Sequence, residues 1–586
     1  MNMKQLMTKW ADNINEKNVL GEYPRPLMRR KSYVNLNGIW KYAIRETKGF
    51  PKKMDGDILV PFSPEAVLSG VNRQLKPEEY LWYKRRLPDE VKPEKGSRWI
   101  LHFGAVDQCA VVYINGKKQG KHVGGYLPFS YDITEALKEE KNLLTVKVRD
   151  YSETCYYSRG KQKLKNGGMF YTAQSGIWQT VWIEKVPECY IGHLKITPLY
   201  DQSSIMIQME EEHGIKDIDY EVTITARKMW PVKASGKTGK PCVIMIPHMR
   251  SWSPEDPFLY DLHVRMGEDS VESYFAMRKV EVKNDKEGIP RIFLNNEPYF
   301  EKGVLDQGYW PDGLYTPPCD EAMIYDIQKM KDLGFNMIRK HIKIEPQRWY
   351  YHCDRIGMLV WQDMVNGGRD YKSWYVTYMA TAMEGMHIRA KDTRIHLMGR
   401  QDPAGQRQFE KEMKETLRLL YNHPSIVTWV IFNEGWGQFQ TKKMTDIVRA
   451  EDPYRLTDSA SGWFDQGCGD IRSIHDYFFP LHVTPEKRVT ALTEFGGYSL
   501  QIPKHSMYEK KVYGYKKFKR KRELTAGYEK LIKKLIIPNI SRGLSATVYT
   551  QLSDIEEEVN GIISYDRKIV KMDEKTVKKL NEKLHF

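Results

Sequence analysis

Two glutamates in the second half of the chain each come just after an apolar run and just before glycine. Asn433-Glu434-Gly435 follows Ile426–Phe432 (IVTWVIF), and Thr493-Glu494-Phe495-Gly496 follows Val489–Leu492 (VTAL). A carboxylate at the end of such a run is costly to desolvate unless it has partners or a function. Two facing carboxylates are what glycoside hydrolysis needs, since one protonates the leaving oxygen and the other attacks or activates water. The alternative, two salt-bridged rim residues, is weaker because both glutamates occupy matching positions.

The elements that must position these glutamates alternate between strands and helices after Gly288. Amphipathic patterns typical of helices, such as Glu321–Leu333 and Gln408–Tyr421, separate the apolar runs. This alternation indicates a parallel sheet, and eight units predict a (β/α)8 barrel with its active site at the carboxyl ends of the strands. The tips of strands four and seven then bring Glu434 and Glu494 together. The predicted strands are Phe300–Leu305, Asn336–Ile342, Met358–Asp363, Ile426–Asn433, Arg455–Ser459, Ile471–Asp476, Val489–Glu494 and Ser545–Gln551.

The chain before the barrel has a β pattern throughout. Short alternating runs such as Ala110–Ile114 are separated by turn formers, and Asn115-Gly116 directly after that run predicts a hairpin. We predict a multidomain fold with three parts: a β jelly roll over residues 1–190, an immunoglobulin-like β-sandwich over 191–285 and the (β/α)8 TIM barrel over 286–586. We interpret Asn284–Gly288 as a polar linker before the barrel.

Further candidates for substrate binding lie at the other predicted strand tips. Trp361 is expected to stack on a sugar face, and Asp363 beside it to accept bonds from two hydroxyls. His341 either holds a sugar hydroxyl or is a satisfied structural histidine. The remaining tip residues complete a polar ring and are Asp306, His475, Asp476, Tyr477 and Gln551.

Four motifs, in order along nearly the whole chain, resemble glycoside hydrolase family 2, which contains β-galactosidases, β-glucuronidases and β-mannosidases. Two lie in the first predicted domain: Tyr23-Pro24-Arg25-Pro26 with Leu36-Asn37-Gly38-Ile39-Trp40 is similar to the opening signature, and Ser175-Gly176-Ile177-Trp178 to the end of the jelly roll. Asn433-Glu434 resembles the acid/base motif, and Thr493-Glu494-Phe495-Gly496 the nucleophile motif.

The resemblance implies a retaining double displacement without a cofactor. By it, Glu494 is the nucleophile, Glu434 is the acid/base, and Asn433 bonds the sugar 2-hydroxyl. Tyr477 resembles the tyrosine that bonds the nucleophile, and His475 and Asp476 are the alternatives for that role. Such a mechanism needs the two carboxyl groups about 5–5.5 Å apart. It also leads us to expect a raised pKa for Glu434, from burial or from the charge of Glu494, while Glu494 stays ionised.

Departures from the family pattern bear on the sugar. The run Val548–Asp554 at the last predicted strand contains no tryptophan that could form the base of the sugar site. The only Asn-x-Lys after Glu494 is Asn581-Glu582-Lys583 in the terminal tail. Because the family's glucuronidases carry Asn-x-Lys within the barrel, we rank β-galactosidase above β-glucuronidase. β-Mannosidase and α-L-arabinosidase remain as alternatives. The metal ligands of the large β-galactosidases have no counterparts here, so we predict no metal.

The charge balance favours a different class of protein. The 586 residues contain 91 Lys and Arg against 76 Asp and Glu, a formal net charge of +15, and a basic chain raises the case for nucleic acid as a partner. The Lys510–Arg522 run (KKVYGYKKFKRKR) interleaves cations with aromatics, which would suit a non-catalytic carbohydrate- or nucleic-acid-binding protein. We interpret it as a solvated surface outside the site, because a protein used only for binding would not need both glutamates.

Two long segments are candidates for shaping the substrate site, either as its walls or as packed surface insertions. They are Lys161–Ser175 in the first domain and Asn366–Gln408 after the third barrel strand, which contains Trp374.

The compartment follows from cysteines and hydropathy. Seven scattered cysteines without a CxxC motif argue against both disulfides and a zinc ribbon, and neither a secretory signal nor a membrane helix is apparent. We therefore predict a cytoplasmic enzyme with a carbohydrate substrate, without a nucleic-acid or membrane partner, and we allow for a homo-oligomer.

Overall fold

The structure of the protein is a computed structural model that describes residues 6–385, 390–477, 481–484 and 486–586. No helix in these ranges is long and apolar enough to cross a bilayer. All seven cysteines are free thiols.

The first part of the chain is a β-sandwich of a four-stranded sheet (order β1-β14-β5-β9) and a six-stranded sheet (β3-β2-β4-β10-β7-β8). Its core is apolar and includes Trp40, Leu101 and Val146. Asn115 and Gly116 both adopt positive φ and join β7 to β8 antiparallel, so the predicted hairpin is confirmed. The strands are β1 Tyr33–Asn35, β2 Gly38–Arg45, β3 Gly56–Val60, β4 Tyr80–Arg86, β5 Ser97–Phe103, β6 Val106–Asp107, β7 Cys109–Ile114, β8 Lys117–Val123, β9 Phe129–Asp132, β10 Leu143–Arg149, β11 Gln162–Lys163, β12 Tyr171–Thr172, β13 Gly176–Ile177 and β14 Val181–Pro187.

A smaller sandwich follows, with a three-stranded sheet (β15-β16-β19) facing a four-stranded one (β18-β17-β20-β21). Alternation along β20, whose residues are buried and exposed in turn, directs one face of each strand into a core that includes Ile207, Val222 and Leu262. The strands are β15 Ile191–Leu199, β16 Ser204–Glu211, β17 Asp219–Thr225, β18 Val232–Lys237, β19 Pro241–Met245, β20 Tyr260–Met266 and β21 Asp269–Phe275.

A three-stranded meander joins this sandwich to the barrel: β22 Val280–Asn284, β23 Pro290–Leu294 and β24 Glu297–Pro298. Residues 284–288, predicted to be a linker, instead include the turn of the β22–β23 hairpin, because Asp285 accepts hydrogen bonds from the backbone of Glu287 and Ile289. The boundary predicted at 285/286 therefore falls inside a paired hairpin, whereas that at 190/191 falls between β14 and β15.

The remainder is a (β/α)8 barrel, as predicted, and each predicted run overlaps one observed strand. Neighbouring strands are parallel in the order β29-β28-β27-β26-β25-β32-β31-β30. The end strands β29 and β30 lie side by side, and Ser473 donates a hydrogen bond to Asp458 between them, so the barrel is nearly closed. The strands are β25 Glu301–Asp306, β26 Met337–Lys340, β27 Leu359–Asp363, β28 Ile426–Val430, β29 Leu456–Asp458, β30 Ile471–Asp476, β31 Val489–Gly496 and β32 Leu544–Thr550.

The helices lie mostly around the barrel and bury their apolar faces against it; α4, for example, buries Phe409, Met413 and Leu417. The α-helices are α1 Asp320–Asp332, α2 Gln347–Ile356, α3 Ala380–Gly385, α4 Pro403–Leu420, α5 Thr441–Glu451, α6 Lys521–Leu531, α7 Ile537–Ile540 and α8 Glu574–Asn581. Trp374–Met379 and Ile532–Ile536 are π-helical turns. Short 3₁₀ turns are Ala11–Asn13, Pro26–Met28, Val67–Ser69, Thr134–Ala136, Ser152–Thr154 and Tyr200–Gln202.

Candidate active site

Glu434 and Glu494 meet at the carboxyl ends of the barrel strands. Glu434 lies just beyond β28 with a φ of 51°, a left-handed conformation that is uncommon for a residue other than glycine and is held here by the surrounding structure. Gly435 follows where a Cβ atom would lie 2.4 Å from the Phe464 ring. One carboxylate oxygen of each glutamate and one nitrogen of His475 lie within 4.8 Å of one another. This approach of the two carboxyl groups is compatible with the roughly 5–5.5 Å separation of a retaining pair.

Glu494, at the end of β31, is held by two donors. The hydroxyl of Tyr477 donates to its Oε2 at 2.6 Å, and Arg339 donates to its Oε1 at 3.3 Å. Burial, followed by the charge of Glu494, raises the pKa of Tyr477 well above its ordinary value, so the phenol stays protonated and donates. Donors on both oxygens hold the carboxyl group of Glu494 in a fixed orientation.

Arg339 on β26 is a site residue that our sequence analysis missed. Its guanidinium is fully buried and forms a two-bond ion pair with Asp363, with both distances 3.0 Å, and its Nη2 donates to the side-chain oxygen of Asn433 at 2.8 Å. Burial lowers the pKa of Arg339, but the charges of Asp363 and Glu494 outweigh it and leave the pKa raised. A charged residue two positions before His341 on a buried strand was the signal that could have identified it.

Glu434 has a different environment from Glu494. Its Oε1 lies 3.1 Å from Nδ1 of His475. Burial raises the pKa of Glu434, but the hydrogen bond and charge of His475, with smaller effects from Lys161 and Arg339, outweigh burial and hold this pKa below its ordinary value. The predicted rise in the pKa of Glu434 is therefore wrong, because His475, Lys161 and Arg339 together outweigh desolvation.

His341 and Asp363 form a second pair in the same pocket. Nδ1 of His341 lies 2.7 Å from Oδ2 of Asp363. Burial lowers the pKa of His341 well below its ordinary value, so the ring is neutral and donates from Nδ1. Its buried Nε2 has no partner among the described residues and is left as an acceptor for a sugar hydroxyl.

Three predicted site residues have partners other than the two glutamates. The prediction that Trp361 stacks on a sugar is wrong. Its side chain is 0% exposed in the barrel core, and its Nε1 donates to Glu301, the first residue of β25. Asp306 forms a separate ion pair with Lys340. Gln551 is buried and donates to Asn560 at 2.9 Å. No hydrogen bond or ion pair joins Asp306 or Gln551 to either glutamate within the described chain.

The two long segments meet at the site around Trp436, two residues after Glu434. The Phe170 ring, from the 161–175 segment of the jelly roll, packs edge-on against Trp436 with centroids 5.9 Å apart, and Tyr371 of the insertion lies 6.3 Å away. The Tyr171 hydroxyl donates to Glu558, just beyond β32. The jelly roll thus forms one wall of the barrel mouth, while Trp374 remains 55% exposed.

The basic run also reaches the site, which corrects our placement of it outside. The Tyr515 ring stacks on Tyr477 with centroids 4.1 Å apart and an interplanar angle of 19°. The Lys and Arg side chains of the run are exposed, whereas Tyr513, Tyr515 and Phe518 are half-buried. The cations therefore form a solvated surface, and the aromatics between them pack against the site.

The Glu434–His475–Glu494 cluster has the atom types of a metal site and is the only group of three such ligands within the described residues. The Arg339 guanidinium 3.3 Å from Glu494 disfavours a second cation there, so we assign the cluster to acid–base chemistry.

Comparisons with known proteins agree with this arrangement. The model of the family 2 glycosyl hydrolase TIM barrel domain matches residues 319–494, and that of the family's sugar binding domain matches residues 71–187. The chain belongs to glycoside hydrolase family 2, which confirms the resemblance inferred from the motifs.

The relatives are named for two different activities, β-glucuronidase and β-galactosidase. A putative β-glucuronidase of Formosa agariphila is 23% identical over 74% of this chain and 52% of its own length. A β-galactosidase of Thermoanaerobacter pseudethanolicus is 24% identical over 80% of this chain and 61% of its own. The chain thus spans about half the length of these curated relatives. The solved β-D-glucuronidase of Dictyoglomus thermophilum has a TM-score of 0.73 at 17% identity, covering 96% of this chain and 99% of that one, and shares the fold.

Proposed function

We propose that the protein is a retaining exo-β-glycosidase that removes terminal sugars by double displacement. The observation that carries this proposal is the approach of Glu434 and Glu494 to within 4.8 Å through one oxygen each, with different partners on the two carboxyl groups. A non-catalytic binding protein would not need one carboxylate fixed by two donors and the other beside an imidazole.

In the first step, Glu494 attacks the anomeric carbon while Glu434 protonates the departing oxygen. In the second step, Glu434 removes a proton from water, which displaces Glu494 from the anomeric carbon. Tyr477 and Arg339 orient the nucleophile, and Arg339 also fixes the oxygen of Asn433. The amide group of Asn433 then presents its N–H to the sugar 2-hydroxyl.

Galactose and a uronic acid are the two candidate sugars. The lack of Asn-x-Lys near the barrel strand tips favours galactose. The relatives include both β-galactosidases and β-glucuronidases, so the comparisons support either sugar.

Lys161 favours the uronic acid. Next to it, the backbone N–H of Gly160 donates to Asn366, just after β27, at 3.0 Å. The half-buried Lys161 ammonium has no hydrogen bond or ion pair with any described residue. Its charge acts on Glu434 and Glu558, which places it at the barrel mouth. An unpaired cation there suits a sugar carboxylate.

A panel of 4-nitrophenyl β-glycosides of galactose, glucuronic acid, galacturonic acid, mannose and glucose, with the α-L-arabinoside, tests the proposal. Proton NMR of the first product should show the anomer of the substrate, which is β for the β-glycosides and α for the α-L-arabinoside. No turnover of any member, or a first product of inverted configuration, would refute a retaining glycosidase. If the substrate is a uronide, Lys161→Gln should reduce kcat/KM about 10–150-fold, the value of one charge-assisted hydrogen bond. The matched control, Lys163→Gln, removes a lysine that is paired with Asp370 in the same segment.

We also retain a cytoplasmic location as a proposal, supported by the free thiols. The absence of a nucleic-acid partner, the homo-oligomer and the division of the chain into three domains are retained as proposals too. Analytical ultracentrifugation tests the oligomer.

A further inference from the structure

His475 lies between the two glutamates, at the end of β30. Its ring is fully buried, with Nδ1 3.1 Å from Oε1 of Glu434 and Nε2 3.8 Å from Oε1 of Glu494. Nε2 also lies 3.0 Å from the hydroxyl oxygen of Ser461. Each ring nitrogen therefore faces a polar group of the site, and the ring spans the space between the two carboxylates.

The ring is held in place by close packing. Gly462 has a φ of 82°, and a Cβ atom there would lie 2.7 Å from Nδ1 of His475. The Trp463 ring packs edge-on against the imidazole with centroids 6.1 Å apart. A residue other than glycine at position 462 would displace the imidazole, so the local sequence keeps His475 against Glu434.

The charges around His475 come from several strands. Glu434, Glu494 and Asp458 are acidic, whereas Arg339, Lys161 and His341 are basic or neutral. Arg339 is committed to Asp363, Glu494 and Asn433. His475 is therefore the one titratable base within hydrogen-bond distance of Glu434 among the described residues.

Glu434 must carry a proton when it acts as the acid in the first step of the proposed reaction. Burial raises the pKa of Glu434, but the bond and charge of His475 outweigh it, so near neutral pH Glu434 is a carboxylate beside an imidazole. Nδ1 of His475, 3.1 Å from Oε1, is placed to supply Glu434 with the proton that the leaving group requires.

We propose that His475 is a positioning residue that stores the proton which Glu434 delivers to the leaving group, so that the Glu434–His475 pair acts as the general acid. This inference rests on the proposed glycosidase function. It adds to that function a group that stores the proton. By this proposal, loss of that proton causes the fall in rate at the alkaline side of the pH–rate profile.

The proton and electron balance closes over the two steps. In glycosylation, the proton passes from Nδ1 of His475 to Glu434 and from Glu434 to the glycosidic oxygen, as the bond from that oxygen to the anomeric carbon breaks and the bond to Glu494 forms. In deglycosylation, water gives its proton to Glu434 and from there to Nδ1. The water oxygen bonds the anomeric carbon, and Glu494 leaves as a carboxylate.

His475→Asn tests the proposal, because asparagine places an N–H donor near the position of Nδ1 but does not titrate. The probes are the 2,4-dinitrophenyl and phenyl β-glycosides of whichever panel sugar the wild type hydrolyses fastest. We expect phenyl-glycoside turnover to fall at least about tenfold more than dinitrophenyl turnover, since only the poorer leaving group depends on the acid. We also expect the alkaline limb of kcat/KM to move down by about one pH unit or more, since Glu434 alone binds the proton less tightly.

His341→Asn is the matched control, since it alters a second buried histidine of the pocket that bonds Asp363 and not Glu434. It should reduce turnover of both leaving groups alike and leave the alkaline limb in place. A wild-type alkaline limb in His475→Asn, with equal losses on both probes, would overturn the proposal. If His475→Asn does not fold by circular dichroism, His475→Gln is measured by the same criteria. A wild type that hydrolyses no glycoside refutes the proposed function instead.

Discussion

The hydroxyl of Tyr477 donates a 2.6 Å hydrogen bond to Oε2 of Glu494. Tyr477 comes directly after β30, and Glu494 lies near the end of the neighbouring strand β31. The Tyr477 hydroxyl also lies 3.0 Å from Oγ1 of Thr550 at the end of β32, and its ring stacks on Tyr515. The phenol is therefore held by contacts with three parts of the barrel, and it occupies one oxygen of Glu494. The other oxygen, Oε1, receives Arg339 and faces His475.

Tyr477→Phe should reduce kcat while leaving the ring stack in place. One hydrogen bond to a charged group contributes about 1.5–3 kcal/mol, which corresponds to a loss of about 10–150-fold in kcat. Steady-state kinetics on the best panel substrate measure it. Tyr528→Phe removes a buried hydroxyl that bonds Asn581 away from the site and should keep wild-type kcat. Equal kcat values for Tyr477→Phe and the wild type would exclude a role for this bond in catalysis.

The two glutamates should respond differently to azide. Glu494→Ala should abolish turnover, and azide should restore it as a glycosyl azide of inverted configuration. Glu434→Ala should impair poor leaving groups more than activated ones, because only the poor ones need protonation, and azide should give a glycosyl azide of retained configuration. Product NMR distinguishes the two. Near-full activity of Glu494→Ala would show that the nucleophile is misassigned.

Arg339→Lys should reduce kcat/KM by about 100-fold or more, since a lysine ammonium cannot reproduce the fork that joins Asp363, Glu494 and Asn433. Because lysine keeps the positive charge, a large loss of kcat/KM would show that the hydrogen-bond geometry of Arg339 is what matters. Arg291→Lys is the control, because Arg291 pairs with Asp285 and bonds Ile540 at the opposite end of the barrel. It should lower Tm without lowering kcat/KM. A similar loss of kcat/KM in both variants would mean that Arg339 acts only through stability.

Stability should fall in acid through Glu184, a fully buried carboxylate paired with Arg25 and Arg30. Burial raises its pKa, but Arg25, His102 and Arg30 outweigh burial, so the pKa in the folded state lies far below the ordinary value. The stabilisation is thus complete above the unfolded pKa of about 4.3 and is lost as the pH falls below it.

Glu184→Gln should therefore lower Tm strongly at pH 7, since breaking a buried pair costs about 3–5 kcal/mol. The difference from the wild type should shrink as the pH falls below about 4. Thermal denaturation followed by circular dichroism measures both. Glu272→Gln, at an exposed pair with Arg29, should change Tm little. A difference that stays constant down to pH 3 would show that the charge of Glu184 does not carry the effect.

The sequence alone predicted the barrel, its eight strands and the two glutamates, since each depends on local periodicity and on the positions of strand ends. Through the family resemblance it named Tyr477, with His475 and Asp476 as alternatives, as the partner of Glu494, and the structure places Tyr477 there. Trp361 was misplaced because the same strand sends alternate residues to different depths of the barrel. Whether position 361 or 363 faces the mouth depends on strand tilt and register, which a single sequence does not report.

The sequence by itself thus determined the family, the fold class of two β-sandwiches followed by a (β/α)8 barrel, and the candidate catalytic carboxylates. Only the tertiary structure decided what surrounds them: the Arg339 fork, His475 between the glutamates, Tyr515 on Tyr477 and Lys161 at the mouth. These contacts join segments up to hundreds of residues apart, and their direction and distance depend on packing of the whole barrel against the jelly roll. The lowered pKa of Glu434 follows from the same convergence, because the groups that cause it come from β26, β30 and the jelly-roll segment.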